Sequence, residues 1–344
     1  MKSILRDSCM YSYRKDNKLC GLLFFHVNVF LSDGNAQFQK DIMIKLRKIY
    51  TFGKISKGDF IFTGLHISQN EEKEIFLDQN NYIQSLQIFN YQNQDSDNIL
   101  NREENKLIRK TTGQLSWASS QTRPDLSFDA LQLSTILNKA KFKDTKESRK
   151  VVSKAKKSDF SIKFSHLGDF ENLHLKVFAD ASLGTMEENL ECKSVMGCFI
   201  ALSNDEMEIN PLTWKSKVIE KVAPDTKTAE TLALETSIDD AIYLANMISE
   251  LYTGNIEENK IPLIVYEDSK SLIESLYSTR KVKRKTMRVV ISCIQQYIKS
   301  GIIKDMFHVR SEEQLADLFT KKGAKSARLI KAVSQGVLED FEDV

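Results

Sequence analysis

The stretch Leu173–Asp180, "LHLKVFAD", decides the fold. Leu173, Leu175, Val177 and Ala179 alternate onto one face, the two-residue period of a half-buried strand. The run ends on a carboxylate, Asp180. Two further apolar runs, "SVMGCFIALS" (194–203) and "NPLTWKSK" (210–217), read as strands. Pro224 and Asp225 open a long helix to about Tyr252, closed by Gly254. "IPLIVYED" (261–268) reads as a strand leading into a short helix. Met287, Val290, Ile291, Ile294, Tyr297 and Ile298 then recur at helical spacing over 284–300. "GIIKDMFHV" (301–309) is a last strand, and "SEEQLADLFTKK" (311–322) is expected to be a last helix with Ser311 as its N-cap. Three strands followed by helix–strand–helix–strand–helix predict a mixed sheet with helices on its faces, an α/β (α+β) fold.

Four carboxylates sit where this pattern expects apolar or core-facing side chains. Asp180 ends one strand and Asp268 another. At about 100° per residue, Glu230 shares the core stripe of its helix with Leu234, Ala241, Ala245, Ile248 and Tyr252, whereas Asp239 points outward. Asp317 interrupts the apolar run Leu315–Ala316–Leu318. Buried carboxylates are costly unless paired or bound to a cation. Acids at strand ends and helix starts are commonly just solvated. The alternative for this set is a group of hard oxygen ligands for Mg²⁺ or Mn²⁺.

The rest of the chain narrows the class. Its 344 residues allow two or three domains, and 41% hydrophobic with 28% charged residues is a globular mix. Cys9, Cys20, Cys192, Cys198 and Cys293 are odd in number and form no CxxC pair, which fits free thiols in a reducing compartment. No apolar run is long enough to span a bilayer and the start has no signal-peptide core. A soluble, intracellular protein without membrane partners is expected. Six of the nine residues in "RKVKRKTMR" (280–288) are basic. Arg280, Lys281, Lys283, Arg284 and Lys285 are candidate contacts to a nucleic-acid backbone, against the ordinary alternative of a solvated face. The Lys-rich segment 139–163 reads the same way. Helices are expected at about 103–121 and 126–140, separated by Pro124, and "NYQNQDSDN" (90–98) reads as a surface loop. "LLFFHVNVFL" (22–31) reads as a buried strand with His26 and Asn28 as polar flaws at its centre.

"VFADASLG" (177–184), "WKSK" (214–217), "TAETLALETSIDDAIYL" (228–244), "VYEDSKSLIESL" (265–276) and "QLADLFTKKGA" (314–324) resemble, in order and spacing, the ribonuclease H domain of copia-type retrotransposon Pol polyproteins. The resemblance implies a ribonuclease H-like mixed five-stranded sheet with flanking helices. It also implies that Asp180, Glu230, Asp268 and Asp317 are the catalytic ligands of two Mg²⁺ (or Mn²⁺) ions, with no small-molecule cofactor. The sequence departs from the family at Ser182, Thr231 and Ser269, none of which replaces a ligand. A His near the last Asp assists related retroviral domains, but His308 reads as a strand-end residue without a catalytic role.

Upstream, "GDFIFTGLHIS" (58–68), "IFLDQNNYIQSL" (75–86) and "TTGQLSWASSQTRPDLSFDALQLS" (111–134) resemble the end of the palm and the thumb and connection of the family's reverse transcriptase. "HVNV" (26–29) stands where the family has a strand–turn–strand reading Y/H-V-D-D, so Asn28 and Val29 replace the two metal-binding Asp. The chain is expected to start after the family's upstream metal-binding Asp, and polymerase activity is predicted absent. The expected division is a truncated palm over 1–70, a thumb/connection-like region over 71–165, a ribonuclease H domain over 166–330 and a tail over 331–344. The implied function is metal-dependent endonucleolytic hydrolysis of RNA in an RNA–DNA hybrid by a transposable-element hydrolase, with other polyprotein-derived chains as possible partners. The competing class is a catalytically silent nucleic-acid-binding remnant or host-adopted protein. An active RNA-directed DNA polymerase would need ligands from elsewhere.

Overall fold

The computed structural model describes residues 1–89, 96–186, 193–255, 260–278 and 284–341. The chain opens with an antiparallel meander, β1 (Lys2–Ser3), β2 (Met10–Lys15), β3 (Lys18–His26) and β4 (Val29–Gly34), in that spatial order. Helices α1 (Ala36–Phe38) and α2 (Ile44–Ile49) follow, joined by a π turn. "LLFFHVNVFL", read from its apolar run as one buried strand, is two strands and a tight turn, the strand–turn–strand that the resemblance led us to expect at "HVNV". His26 pairs with Val29, and His26, Val27 and Asn28 are exposed at the tip, Val27 at 86% with φ of 53°. The hairpin leaves the polar groups in water, where they need no protein partner. Its aromatic side chains pack further down, Phe25 on Phe30 at 5.8 Å between centroids and Phe30 on Phe52 at 5.1 Å.

A second antiparallel sheet joins β5 (Asp59–Phe62), β6 (Leu65–Gln69) and β7 (Ile75–Asp78) to the distant β8 (Ile162–Phe164). Between β7 and β8 lie α3 (Asn80–Ser85), α4 (Arg102–Gln121), α5 (Ser127–Ile136) and α6 (Phe142–Lys156). The Asn101 side chain accepts from the Glu103 and Glu104 N–H groups while Glu104 reaches back, a capping box that fixes the start of α4. Pro124 opens a separate 3₁₀ turn after α4 ends. Most of "NYQNQDSDN", residues 90–95, lies outside the described residues.

The third sheet is mixed and five-stranded. Strands β9 (His174–Met186), β10 (Lys193–Ser203) and β11 (Ile209–Val218) are followed by α7 (Thr226–Thr253), β12 (Leu263–Glu267), α8 (Lys270–Tyr277), α9 (Lys285–Lys299) and β13 (Ile303–His308). Spatial order is β11-β10-β9-β12-β13, antiparallel among the first three and parallel from β9 through β12 to β13. The parallel pairings require crossovers, which the helices supply. On one face Leu175, Val177, Ala179 and Ala181 pack with Ala229, Ala233 and Leu234 of α7 and Ile294 of α9.

Strand β9, expected half-buried, is buried on both faces across residues 173–181. The second face, with Phe178, Phe199 and Tyr266, is covered by Leu315, Phe319 and helix α10 (Ala327–Gln335). α10 runs through residue 331, where a tail was expected to begin. Phe178 and Tyr266 stack at 4.5 Å. The cover over this face is not the expected last helix with Ser311 as N-cap. Residues 311–319 form two 3₁₀ turns, Ser311–Glu313 and Leu315–Phe319, broken by an extended Gln314. The break lets the buried Gln314 amide donate to the carbonyls of Ala179 (3.0 Å) and Tyr266 (3.2 Å), two bonds to the sheet that a continuous helix would forgo.

The first sheet docks on the far end of α7. The Leu5 N–H donates to buried Glu250 at 2.7 Å, Arg6 pairs with the same carboxylate at 3.6 Å, and the Tyr243 hydroxyl donates to the Arg6 carbonyl at 2.9 Å. The Trp214 indole on β11 donates to the Ser119 carbonyl of α4 at 2.7 Å. No helix among the described residues is long and apolar enough to cross a membrane.

Candidate metal centre

Register brings the first two acids together. Phe178 of β9 and Tyr266 of β12 are direct partners in a parallel pair, strands of which lie about 4.8 Å apart. Two residues further along each strand direction stand Asp180 and Asp268, on the same face by alternation. The turn Leu315–Phe319 crosses that face and delivers Asp317. Carboxylate oxygens of Asp180, Asp268 and Asp317 lie within 4.8 Å of one another. Asp180 is 4% exposed; the other two are half-buried.

The close approach depends on Gly197, which pairs with Asp180 across β10 and β9. A Cβ there would stand 2.5 Å from the Ala316 carbonyl and 2.9 Å from both Phe319 Cβ and Thr320 Cγ2. Strand glycines commonly mark such backbone contacts.

Glu230 arrives from the opposite side of the sheet. Its helix packs on the Ala179 face, so the side chain reaches the centre from the rim and does not belong to the three-oxygen group formed among the described residues. It is half-buried, and burial raises its carboxyl above the ordinary range; a hydrogen bond from Ser269 opposes this, while Asp268 and Asp180 add to it. Burial also raises Asp268, with Asp180 adding repulsion. Asp180 is raised by burial, which outweighs the ammonium of Lys321.

Several members of this centre escaped the sequence reading. Thr320 donates its hydroxyl to Asp180 Oδ2, and Ser311 donates to Asp268 Oδ2 at 2.9 Å. The Lys321 Nζ stands 2.5 Å from Asp317 Oδ1 and 3.7 Å from Asp180 Oδ2. Burial alone would lower this ammonium, but Asp180 and Asp317 hold it above its ordinary value. Glu267 is a fifth carboxyl, 1% exposed, raised well above the usual range by burial and then by Asp268. Its Oε1 accepts from the Ser269 N–H at 3.2 Å, and Oε2 has no hydrogen-bond partner among the described residues. A sequence signal existed for Lys321, four residues after Asp317 in a segment read as helical. None marked Thr320 or Gly197, whose roles come from packing.

His308 ends β13, and its Nε2 lies 3.1 Å from the Asp268 backbone carbonyl. A carbonyl only accepts, so this nitrogen carries the proton. Of the proposed backbone contacts, Arg280, Lys281 and Lys283 lie outside the described residues. Arg284 donates to Asp225 Oδ2 (3.3 Å) and Thr228 Oγ1 (3.1 Å), and Lys285 is exposed in the first turn of α9. In the Lys-rich segment, Lys154 pairs with Asp129 at 2.8 Å and Lys163 with Glu74 at 2.6 Å, so part of that charge is spent within the fold.

No family model matches the chain. Among solved structures, it is similar to LC11-RNase H1, isolated from compost by a metagenomic approach, at 15% identity over 43% of this chain and 92% of that one, with a TM-score of 0.31. The N-terminal RNase H domain of a Mycobacterium tuberculosis protein matches at 16% identity over 43% of this chain and 91% of that chain, with a TM-score of 0.30. Prototype foamy virus protease-reverse transcriptase matches at 15% identity over 52% of this chain and 22% of its own, also with a TM-score of 0.30.

Proposed function

We propose that the chain is a copia-type retrotransposon-derived ribonuclease H that cuts the RNA strand of RNA–DNA hybrids, attached to a reverse-transcriptase remnant without polymerase chemistry. The observation that carries this reading is the convergence of Asp180, Asp268 and Asp317 from three separate segments to within 4.8 Å, at positions that match the family's motifs. A donor set made only of carboxylate oxygens fits Mg²⁺ or Mn²⁺ and suits softer metals poorly. Two such ions, when bound, supply an activated water and charge stabilisation of the leaving oxygen.

The chain's own residues prepare that site. Asp180 and Glu230 would share one ion from the two sides of the sheet, and Asp268 and Asp317 would complete the pair. Thr320 and Ser311 each donate to one ligand oxygen, fixing which carboxylate lone pairs face the centre. Arg284 and Lys285 would follow the hybrid backbone. The exposed hairpin tip at His26–Val29 supports the loss of polymerase activity: Val29 has no ligand atom, and Asn28 offers a neutral amide oxygen without the charge that holds Mg²⁺.

The test is cleavage of an end-labelled RNA–DNA hybrid by the full chain with Mg²⁺ or Mn²⁺, beside Asp180→Asn. Metal-dependent cutting abolished in the variant is expected. A folded chain that binds the hybrid without cutting it would leave the silent nucleic-acid-binding remnant as the answer.

A further inference from the structure

We infer that Lys321 is a built-in counter-cation of the acidic centre, which holds the carboxylates together in the metal-free chain and must be displaced when a divalent cation binds. The inference rests on the metal-centre reading above. Divalent cations sit about 2.0–2.6 Å from carboxylate oxygens. The Lys321 ammonium already stands 2.5 Å from Asp317 Oδ1 and 3.7 Å from Asp180 Oδ2, between two of the three acids whose oxygens converge. A cation ligated by these two oxygens would occupy the same space and meet a like charge at contact distance.

The local structure suits a side chain that can leave. The backbone is anchored, because the N–H groups of Thr320 and Lys321 both donate to the Asp317 carbonyl at 3.1 Å. The Thr320 hydroxyl also donates to Asp180 and its carbonyl accepts from Ser182 at 2.9 Å. The four-carbon stem beyond this anchor is flexible, and the side chain is 44% exposed. Its head can therefore rotate into water while the Asp317 turn stays seated. Without it, three close carboxylates of like charge would face one another, offset among the described residues by the hydroxyls of Thr320 and Ser311 and a backbone hydrogen bond at Asp268. Cation affinity is therefore set partly by Lys321, as a competition between two positive species for one set of oxygens.

The experiment measures Mn²⁺ binding to the full chain by electron paramagnetic resonance of the free ion, together with thermal unfolding with and without Mn²⁺. The proteins are wild type, Lys321→Met, Lys321→Arg and Asp180→Asn. Lys321→Met should bind Mn²⁺ about ten-fold more tightly, unfold at a lower temperature than wild type without metal, and gain more on adding Mn²⁺. Lys321→Arg, which keeps the charge, should stay near wild type. Equal or weaker Mn²⁺ binding by Lys321→Met, or a raised metal-free midpoint, would overturn the inference. If wild type and Lys321→Met both bind no Mn²⁺ that Asp180→Asn loses, the metal-centre reading itself fails. If only Lys321→Met gains such binding, the displacement is established in its strongest form.

Discussion

Replacing Gly197 by Ala gives the most discriminating test of how the centre is assembled. In an ordinary strand, removing a glycine reduces the conformational freedom lost on folding and stabilises by about 0.5–1 kcal/mol. Here the added Cβ would lie 2.5 Å from the Ala316 carbonyl and 2.9 Å from Phe319 Cβ and Thr320 Cγ2. Normal contacts are about 3.4–4.0 Å, so the turn over the sheet must lift by about 1 Å. Neither backbone nor the fully buried Phe319 can yield alone. Overpacking of this kind costs about 1–3 kcal/mol, which reverses the sign expected for an ordinary glycine. The same lift carries Asp317, Thr320 and Lys321 away from Asp180. A misplacement of about 1 Å in a catalytic constellation costs roughly a hundred-fold in rate. The assay is urea unfolding of the full chain beside Mn²⁺ titration, with Gly113→Ala in α4 as control. A methyl group added at that glycine would meet nothing within 4 Å, and the replacement should stabilise by about 1 kcal/mol. A Gly197→Ala protein as stable as wild type, with unchanged Mn²⁺ affinity, would refute the tight seating of the turn on β10.

Three further outcomes are expected. Asp225→Ala removes the N-cap of α7, whose Oδ1 accepts from the Thr228 N–H at 2.8 Å; urea unfolding should register a loss of about 1 kcal/mol. Glu250→Ala strips the partner of Arg6 and of the Leu5 N–H and should cost about 2 kcal/mol, read as earlier proteolysis of the first sheet. His66 lies 2.8 Å from Asp78 and 3.1 Å from Asp59, and hydrogen bonds to Asp78 and then Asp59 raise its imidazole above the ordinary value. A raised histidine contributes stability that is complete below the ordinary imidazole value and lost as pH rises through the raised one. Wild type should therefore exceed His66→Gln near pH 6, by less than about 1 kcal/mol because Asp59 is exposed, and the difference should vanish by about pH 9; a constant difference would reject the charged clip.

The order of elements in the third sheet was legible because its signals are local. Alternation marked β9, Asp225 and Gly254 bounded α7, and the spacing of Ile291 and Ile294 marked α9. Asp180 and Asp268 stood out as acids ending apolar strands, and their meeting follows from strand register. What failed to show in the sequence depends on the third dimension. Residues 311–322 carry a helical apolar pattern, yet Gln314 leaves the helix to satisfy two sheet carbonyls. His26 and Asn28 looked like flaws in a strand because the apolar residues on either side masked the turn signal of Asn28, which no Gly follows. Lys321 stands four residues after Asp317, so that pairing was open to a helical reading, and only the fold adds its approach to Asp180.

The bond from Trp214 to the Ser119 carbonyl gives the chain an optical address. Its only other tryptophan, Trp117, packs edge-on against Tyr82 at 4.6 Å within the helical region. One indole thus reports the contact of α4 with α3, and the other reports the seam where α4 meets the five-stranded sheet. Emission from Trp214 alone, with Trp117 replaced by Phe, follows the parting of the two as a colour change, without any attached label.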